Sequence, residues 1–193
     1  MSNCYYHLNV HNGKNAEWKV GDIIDLSGYN NYYKNMIDLC AYILSGTNNI
    51  PLHSVLMNPS FNDRQRSIAI GQLRKMSKEL HRELVFERIR AEHFESLPSR
   101  STCTYAFDMS IPPSTWINWV NESKKAYSLL IIEPFSDATV FKTNDGPLFF
   151  DGFHENDEKL EELAKVYWSG TAEGRGEVLI QGRAKVIKIV STN

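Results

Sequence analysis

The residue types that most often bind metals or act as nucleophiles form no recognisable site in this sequence. The six histidines include no i, i+4 pair within a predicted helix, the spacing at which a helix presents two metal ligands on one face. The three cysteines are widely spaced and form no CxxC pair, so we expect neither a zinc site nor a disulfide framework. These residues are His7, His11, His53, His81, His93, His154, Cys4, Cys40 and Cys103. We therefore predict no metal.

The common phosphate-binding and hydrolase motifs are also missing. The sequence contains none of the patterns GxxxxGK[ST], GxGxxG, HExxH and GxSxG. Gly170, Gly174 and Gly176 precede a predicted strand, whereas the glycines of a phosphate-binding loop open a helix. Neither a P-loop nor a zincin is expected.

Three stretches, taken together, resemble the ADP-ribosyltransferase group. In AEGRGEVLIQGRAKV (172–186), Glu177 precedes an apolar strand, a turn and another strand, as in the last motif of that group. The stretch YYHLNV (5–10) resembles the group's first strand, which places a histidine or arginine against NAD. The stretch RIRAEHFESLPSR (88–100), followed by a strand, resembles a pattern in uncharacterised bacterial and phage members. Residues 14–70 are hardly covered by the resemblance and could be a family-specific insertion.

The resemblance implies cleavage of the bond between nicotinamide and ribose in NAD, which is the substrate. This step leaves an oxocarbenium-like ribose, and Glu177 is the catalytic carboxylate expected to stabilise it and to hold the ribose 2′-hydroxyl. His7 is expected to bind the adenosine-side ribose, and Arg100 to bind the pyrophosphate through a bidentate contact. Tyr105 is the candidate that stacks on nicotinamide, although aromatic residues on strands usually pack in the core. Tyr6 is a weaker candidate, because strand alternation places it opposite His7.

Position 175 departs from the pattern of this group. Many protein-modifying relatives carry Glu or Gln two residues before the catalytic glutamate, where strand alternation turns both side chains to the same face. Here the residue is Arg175, which cannot act as a base that activates an acceptor side chain. A cation suits an anionic acceptor, so nucleic acid, and RNA in particular, is favoured over protein. The resemblance also implies a toxin or phage-defence effector, for which a neutralising antitoxin protein is an expected partner.

Each of these residues also has a structural interpretation. Glu177 could be a solvent-exposed carboxylate at a strand end, and His7 a half-buried strand residue. Arg100 could pair with Glu95 or Asp108 at the surface, where such pairs contribute only ~0–1 kcal/mol. The chain as a whole could then be a non-catalytic protein- or RNA-binding module, and an NAD glycohydrolase is a third possibility.

The elements that position these residues mix helices and strands without a regular βαβ rhythm, which favours an α+β domain. Under the resemblance, its core is a split β-sheet with flanking helices. We predict strands at 4–10, 101–107, 126–133, 138–142, 148–153, 177–181 and 184–190, with a short strand or loop at 20–24. Helices are predicted at 33–44, after Pro112, and from Asn156 to Tyr167, with a connector at 46–59.

The clearest predicted helix covers about 62–92. Leu73, Met76, Leu80 and Leu84 recur there at helical spacing and predict its buried face. The charged run 82–90 is interpreted as a solvated face carrying i, i+4 pairs.

The bulk properties fit one domain spanning residues 1–193. The composition is that of an ordinary globular protein, with 42% hydrophobic and 23% charged residues. The net charge of −2 provides no overall basic field, so any nucleic-acid binding must use a local patch. No secretion signal or membrane-spanning run is recognised, so a cytoplasmic protein that does not bind membranes is expected.

Overall fold

The computed structural model describes residues 4–11, 17–25, 30–37, 40–41, 50–115, 117–118, 126–149 and 157–192. The strands are β1 Tyr5–His11, β2 Ile23–Asp25, β3 Cys40–Ala41, β4 Ile50–Pro51, β5 Thr104–Asp108, β6 Ala126–Pro134, β7 Thr139–Asn144, β8 Gly176–Gln181 and β9 Arg183–Thr192. The helices are α1 Asn31–Ile37, α2 Leu52–Met57, α3 Asp63–His93 and α4 Asp157–Trp168, with a 3₁₀ helix at Gly146–Phe149. The predicted mixture of helices and strands is confirmed.

Seven strands form one antiparallel sheet in the order β2-β9-β6-β1-β5-β8-β7. The sheet narrows sharply at its centre. Strand β1 pairs with β6 over seven residue pairs, but with β5 only through Tyr5–Asp108 and Tyr6–Phe107. After these two pairs, β1 and β5 diverge, so the sheet has two halves joined by a short ladder. Strands β3 and β4 pair separately.

Apolar side chains cover both faces of the β5-β8-β7 half. On one face, Val178 and Ile180 of β8 pack with Leu130 and Ile132 of β6, which belongs to the other half of the sheet. On the opposite face, Leu179 packs against α3 and α4. Successive strand residues point to opposite faces, so a strand with a core on each face must be apolar at consecutive positions. This explains the uninterrupted Val-Leu-Ile run after Glu177.

Helix α3 begins with a capping box. The side chain of Asn62 accepts a hydrogen bond from the backbone N–H of Gln65, and the side chain of Gln65 accepts one from the backbone of Asn62. The helix ends at His93, which agrees with the predicted range 62–92. Its buried face agrees with the prediction at Leu73 and Met76, which pack in a small core with Ala69. It differs nearer the C-terminal end, where Leu84 is 54% exposed while Val85, Phe86 and Ile89 are buried.

The charged run 82–90 also differs from the solvated face that was predicted. Arg82 and Glu83 are buried, at 8% and 1% exposure. Hydrophobic periodicity assigns such residues to the surface because an unpaired buried charge is costly. Partners from distant parts of the chain remove that cost here, as described below. Arg88 does make a surface ion pair, with Glu161, and Glu87 makes a partly buried one with Arg90.

Several element boundaries differ from those predicted. Among the described residues of the predicted helix 33–44, those up to Ile37 are helical, whereas Cys40–Ala41 is a strand. The range 46–59, predicted as a connector, contains β4 and α2, whose six residues are too few to show a helical period. The strand predicted at 148–153 is wrong at its start, where residues to Phe149 form a 3₁₀ helix. Asn156, the predicted start of the last helix, and the range 150–153 of the predicted strand lie outside the described residues.

None of the helices in the described part of the chain is long and apolar enough to span a bilayer.

Candidate active site

Glu177 lies at the point where β8 enters the sheet, opposite Thr143 of β7. Strand alternation places its side chain on the same face as Leu179, which packs against α3 and α4. Only 13% of the side chain is exposed. Glu177 is therefore not the solvent-exposed strand-end carboxylate that was its simplest structural interpretation.

Two buried donors hold the carboxylate of Glu177. Arg100 donates from Nη1 to Oε2 over 2.7 Å, and the hydroxyl of Tyr167 donates to the same oxygen in a short hydrogen bond. Arg100 Nη1 also lies 2.6 Å from the Tyr167 hydroxyl, so the three groups form a triangle. Within the described part of the chain, every hydrogen bond to this carboxylate reaches Oε2. Oε1 is left available to a ligand.

Arg100 bridges two carboxylates. Besides Glu177 it contacts Glu83, through Nε to Oε2 at 2.8 Å and Nη2 to Oε1 at 3.3 Å. Its guanidinium lies between the rings of Tyr105 and Tyr167, with Cζ at 5.2 and 5.1 Å from their centroids. Burial alone would lower the pKa of Arg100, but Glu177 and Glu83 hold the pKa well above its ordinary value.

The loop that carries Arg100 is fixed through its backbone. The carbonyl oxygen of Arg100 accepts hydrogen bonds from the side-chain amide of Asn30, at 2.6 Å, and from the hydroxyl of Tyr105, at 2.7 Å. Residues near α1 and on β5 thereby set the position from which the guanidinium reaches Glu177. The arginine predicted to bind a pyrophosphate has its guanidinium buried and engaged by Glu83 and Glu177.

Glu83 extends the cluster into helix α3. Arg82 donates to Glu83 from Nη2 at 2.7 Å, and it also contacts the carbonyl of Leu148 and the hydroxyl of Tyr32, both at 2.8 Å. Burial opposes ionisation of Glu83, but Arg100 and Arg82 outweigh that effect and hold the pKa of Glu83 below its ordinary value. The cluster thus contains two guanidinium groups and two carboxylates, Arg82, Arg100, Glu83 and Glu177.

Tyr167 reaches Glu177 because of the amphipathic pattern of α4. The buried residues of this helix are Leu160, Ala164, Tyr167 and Trp168, an i, i+4, i+7, i+8 stripe that faces the sheet. The Tyr167 ring packs edge-on against Phe86 of α3, with centroids 5.3 Å apart. Burial raises the pKa of the Tyr167 hydroxyl well above its ordinary value, which keeps it protonated as a donor.

An open pocket of about 450 Å³ borders Glu177. It lies where β5, β7 and β8 end, and its lining includes Asp108, Lys142 and Asn144. Lys142 donates to Asp108 over 2.7 Å, and its side chain is 56% exposed. The pocket therefore offers two carboxylates, one cation and an amide to a polar ligand.

His7 lies where β1 and β5 separate. Its Nδ1 is 2.8 Å from the carbonyl oxygen of Tyr105, one residue beyond the last β1–β5 pair. A carbonyl oxygen only accepts, so Nδ1 carries the proton and Nε2 keeps its lone pair in the neutral ring. Burial lowers the pKa of His7, despite the hydrogen bond to Tyr105 that raises it, and this favours the neutral form.

The side chains of His7 and Glu177 lie on different faces of the sheet. Alternation places His7 with Tyr5, which packs between the sheet halves, whereas Glu177 lies on the helix-covered face. Tyr105 lies between them: its carbonyl contacts His7, and its ring contacts the Arg100 guanidinium. No direct contact between His7 and Glu177 is seen among the described residues.

Two further predicted residues have structural contacts. Tyr105 packs edge-on against Tyr32 in addition to flanking Arg100. Arg175 binds Asp145, which is 5% exposed, through its backbone N–H and its guanidinium at 2.8 to 2.9 Å. The guanidinium also lies 4.9 Å from the centroid of the Phe149 ring. The side chain of Arg175 is 40% exposed, so one of its sides remains open to solvent.

Sequence reasoning missed Arg82, Glu83 and Tyr167. One sequence signal could have indicated burial of Arg82 and Glu83. They lie within one helical turn of the apolar Val85 and Phe86, which are buried. Tyr167 was expected to pack, and its hydroxyl has no sequence signature. No cluster of His, Cys, Asp and Glu that could hold a metal is found among the described residues.

One comparison with known proteins gives a match. The model of a family described as "Protein of unknown function (DUF2441)" matches residues 5–192, including the range 14–70 that the resemblance hardly covers. No curated protein matches the chain.

Proposed function

The chain belongs to the DUF2441 family, and from the geometry around Glu177 we propose that it is an NAD-dependent ADP-ribosyltransferase. It cleaves the bond between nicotinamide and ribose and transfers ADP-ribose to a macromolecular acceptor, with RNA favoured. The observation that carries the proposal is the carboxylate of Glu177, held at Oε2 by two buried donors beside a pocket.

The chemistry requires a carboxylate in a fixed place. When the glycosidic C–N bond breaks, its electron pair leaves with nicotinamide, and positive charge develops on the ribose. A carboxylate that is already oriented stabilises this charge without reorganising. Arg100 and Tyr167 orient Glu177 through Oε2, and Oε1 accepts the hydrogen bond of the ribose 2′-hydroxyl. An oxygen of the acceptor then bonds to the anomeric carbon and loses its proton.

The split in the sheet supports the same proposal. NAD that contacts both His7 and Glu177 must pass from one side of β5 to the other, and the gap beyond the Tyr6–Phe107 pair is where the ladder has ended. Nε2 of neutral His7 can accept a hydrogen bond from a ribose hydroxyl at this gap. The split-sheet core of the ADP-ribosyltransferase group is part of this proposal.

We assign two of these roles differently from the resemblance. Arg100 becomes a positioning residue for Glu177, since its guanidinium already binds both carboxylates. Lys142 is the proposed cation for the pyrophosphate, because it lines the pocket and its side chain is 56% exposed. Tyr105 positions Arg100 in addition to its proposed nicotinamide contact. Arg175 stays the proposed acceptor-side cation, through the exposed part of its side chain.

The decisive experiment incubates the protein with NAD labelled in its adenylate part and with cell extract. We expect label on RNA and release of nicotinamide, and loss of both in Glu177→Gln. Glu162→Gln is the matched control, because Glu162 is an exposed carboxylate of α4 that pairs with Lys159. Free labelled ADP-ribose without transfer would indicate a glycohydrolase. Intact NAD would indicate a binding module, and full activity in Glu177→Gln would contradict the assignment.

A further inference from the structure

The N-terminal half of α3 carries a line of cations. Arg64, Arg74 and Lys75 are exposed and Lys78 is half-buried. Arg74, Lys75 and Lys78 follow Arg64 by 10, 11 and 14 residues, spacings that place all four on one side of the helix. At ~1.5 Å per residue, this cationic stripe is about 21 Å long. It stands out in a chain whose net charge is −2.

Few acidic groups neutralise the cationic stripe. Among the described residues, the only carboxylate within ion-pair distance of a stripe cation is that of Glu79, 3.9 Å from Lys75. Asp63, at the start of the helix, pairs with Arg66. Most of the positive charge of the stripe therefore remains available to an anion.

The surface between the cations allows close approach. Ser67 and Gly71 lie on the same side of the helix as the stripe and are exposed, and a β-carbon built on Gly71 would meet no atom within 4 Å. On the opposite side, Ala69 is buried, and Leu73 and Met76 pack in the same small core as Val55 of α2. Packing thus holds the helix with its cationic stripe outward.

We propose that the cationic stripe of α3 is a docking surface for the backbone of single-stranded RNA. A straight row of cations with small residues between them fits a linear polyanion, whose phosphates each cation can neutralise. A helix that binds a membrane surface instead inserts bulky apolar side chains along its length. Here Ser67 and Gly71 lie between the cations, and the exposed Ile68 and Ile70 border the stripe on either side, each 43% exposed. This inference does not depend on the NAD chemistry.

The test measures binding of a fluorescent unstructured RNA of more than about 16 nucleotides, without NAD, over a range of salt concentrations. The wild-type chain is compared with the triple variant Arg64→Gln, Arg74→Gln, Lys78→Gln. We expect the variant to bind at least about tenfold more weakly at low salt, and the slope of log affinity against log salt to become shallower by about 2, since each lost contact contributes ~0.7.

The matched control is Lys165→Gln, Lys185→Gln, Lys188→Gln, which removes the same charge from exposed lysines on α4 and β9. Retained RNA binding in this control supports the proposal. An equal loss in both triple variants would mean that overall charge decides binding, and would overturn it. So would wild-type binding to phosphatidylserine vesicles with none to RNA. Absence of NAD cleavage would leave the RNA result intact, so the two proposals fail separately.

Discussion

Arg100 and Glu177, which are 77 residues apart in the sequence, meet through a hydrogen bond of 2.7 Å between Nη1 and Oε2. The contact joins the loop before β5 to the second residue of β8, the strand with which β5 pairs. Because Arg100 also binds Glu83, the position of Glu177 depends on α3 as well as on the sheet. Changes far from the pocket should therefore affect Glu177.

Replacing Glu83 with glutamine should destabilise the fold strongly. The buried guanidinium of Arg82 would then lose the carboxylate with which it pairs, while Arg100 would keep Glu177. Leaving a buried charge uncompensated costs about 3–5 kcal/mol. Urea unfolding measures the change. The control is Glu79→Gln, on the same helix, whose 3.9 Å pair with Lys75 contributes at most ~0.5 kcal/mol. Similar unfolding midpoints for the two variants would show that Glu83 is not the electrostatic centre of the cluster.

Replacing Tyr167 with phenylalanine should lower both activity and stability. The variant loses one donor to Glu177, whereas Arg100 keeps its contact with the same carboxylate. We expect a loss of about 1.5–3 kcal/mol in unfolding free energy, the usual range for a hydrogen bond to a charged group. Release of nicotinamide should fall about tenfold or more, since a preorganised contact at the reacting group is lost.

Tyr32→Phe is the matched control for Tyr167→Phe. The hydroxyl of Tyr32 binds Arg82, at the far end of the same cluster from Glu177. Its loss should reduce stability without changing the rate of nicotinamide release at saturating NAD. If both variants reduce that rate equally, Tyr167 contributes only through the stability of the cluster.

The sequence predicts the elements of this fold better than its charged core. The partly alternating pattern of β1 and the apolar runs of β6 and β8 identify strands. Alternation corresponds to burial of one face, and an uninterrupted apolar run to burial of both. Arg82 and Glu83 were placed at the surface, since a charge is normally expected in solvent. Their burial depends on Arg100, which lies 17 residues from Glu83 in a loop. No local pattern records that pairing.

The candidate site was only partly accessible to the same reasoning. The resemblance selected Glu177 and Arg100, and the structure brings these two into contact. It did not indicate that Arg100 would pair with two carboxylates, Glu83 and Glu177. That pairing depends on the geometry of the loop that carries Arg100. His7 and Glu177 were predicted to bind the same NAD, and strand alternation places their side chains on different faces of the sheet.

The stability of the protein should depend on pH through His7. The folded state lowers the pKa of His7 below its ordinary value of 6.5, so the unfolded chain takes up a proton more readily. Stability should therefore fall as the pH drops below about 6.5, and this loss should end below the folded pKa. Thermal unfolding of wild type and His7→Asn from neutral to mildly acidic pH tests this, because the asparagine amide can still donate to the Tyr105 carbonyl. Parallel pH profiles for the two proteins would exclude His7 as the source.

Among the glycines that line the pocket, Gly174 should be the least tolerant of substitution. Its φ of +137° lies in a region that side chains rarely adopt, and a β-carbon there would lie 2.5 Å from the backbone nitrogen of Gly146. The adjoining backbone is fixed by the hydrogen bonds between Asp145 and Arg175, so neither segment can easily move. The strain in Gly174→Ala should lower the free energy of unfolding by about 1–3 kcal/mol or more. It should also displace Glu177, which follows three residues later in the chain.

Gly71→Ala is the opposite case and serves as its control. Gly71 lies inside α3 with no atom within 4 Å of an added β-carbon, so alanine should stabilise the helix by roughly 0.5–1 kcal/mol. Urea unfolding should therefore move in opposite directions for the two variants, and only Gly174→Ala should reduce release of nicotinamide. Unchanged stability in Gly174→Ala would mean that the backbone around Asp145 and Arg175 can relax. Glu177 would then be held by Arg100 and Tyr167 alone, and not by the turn that leads into β8.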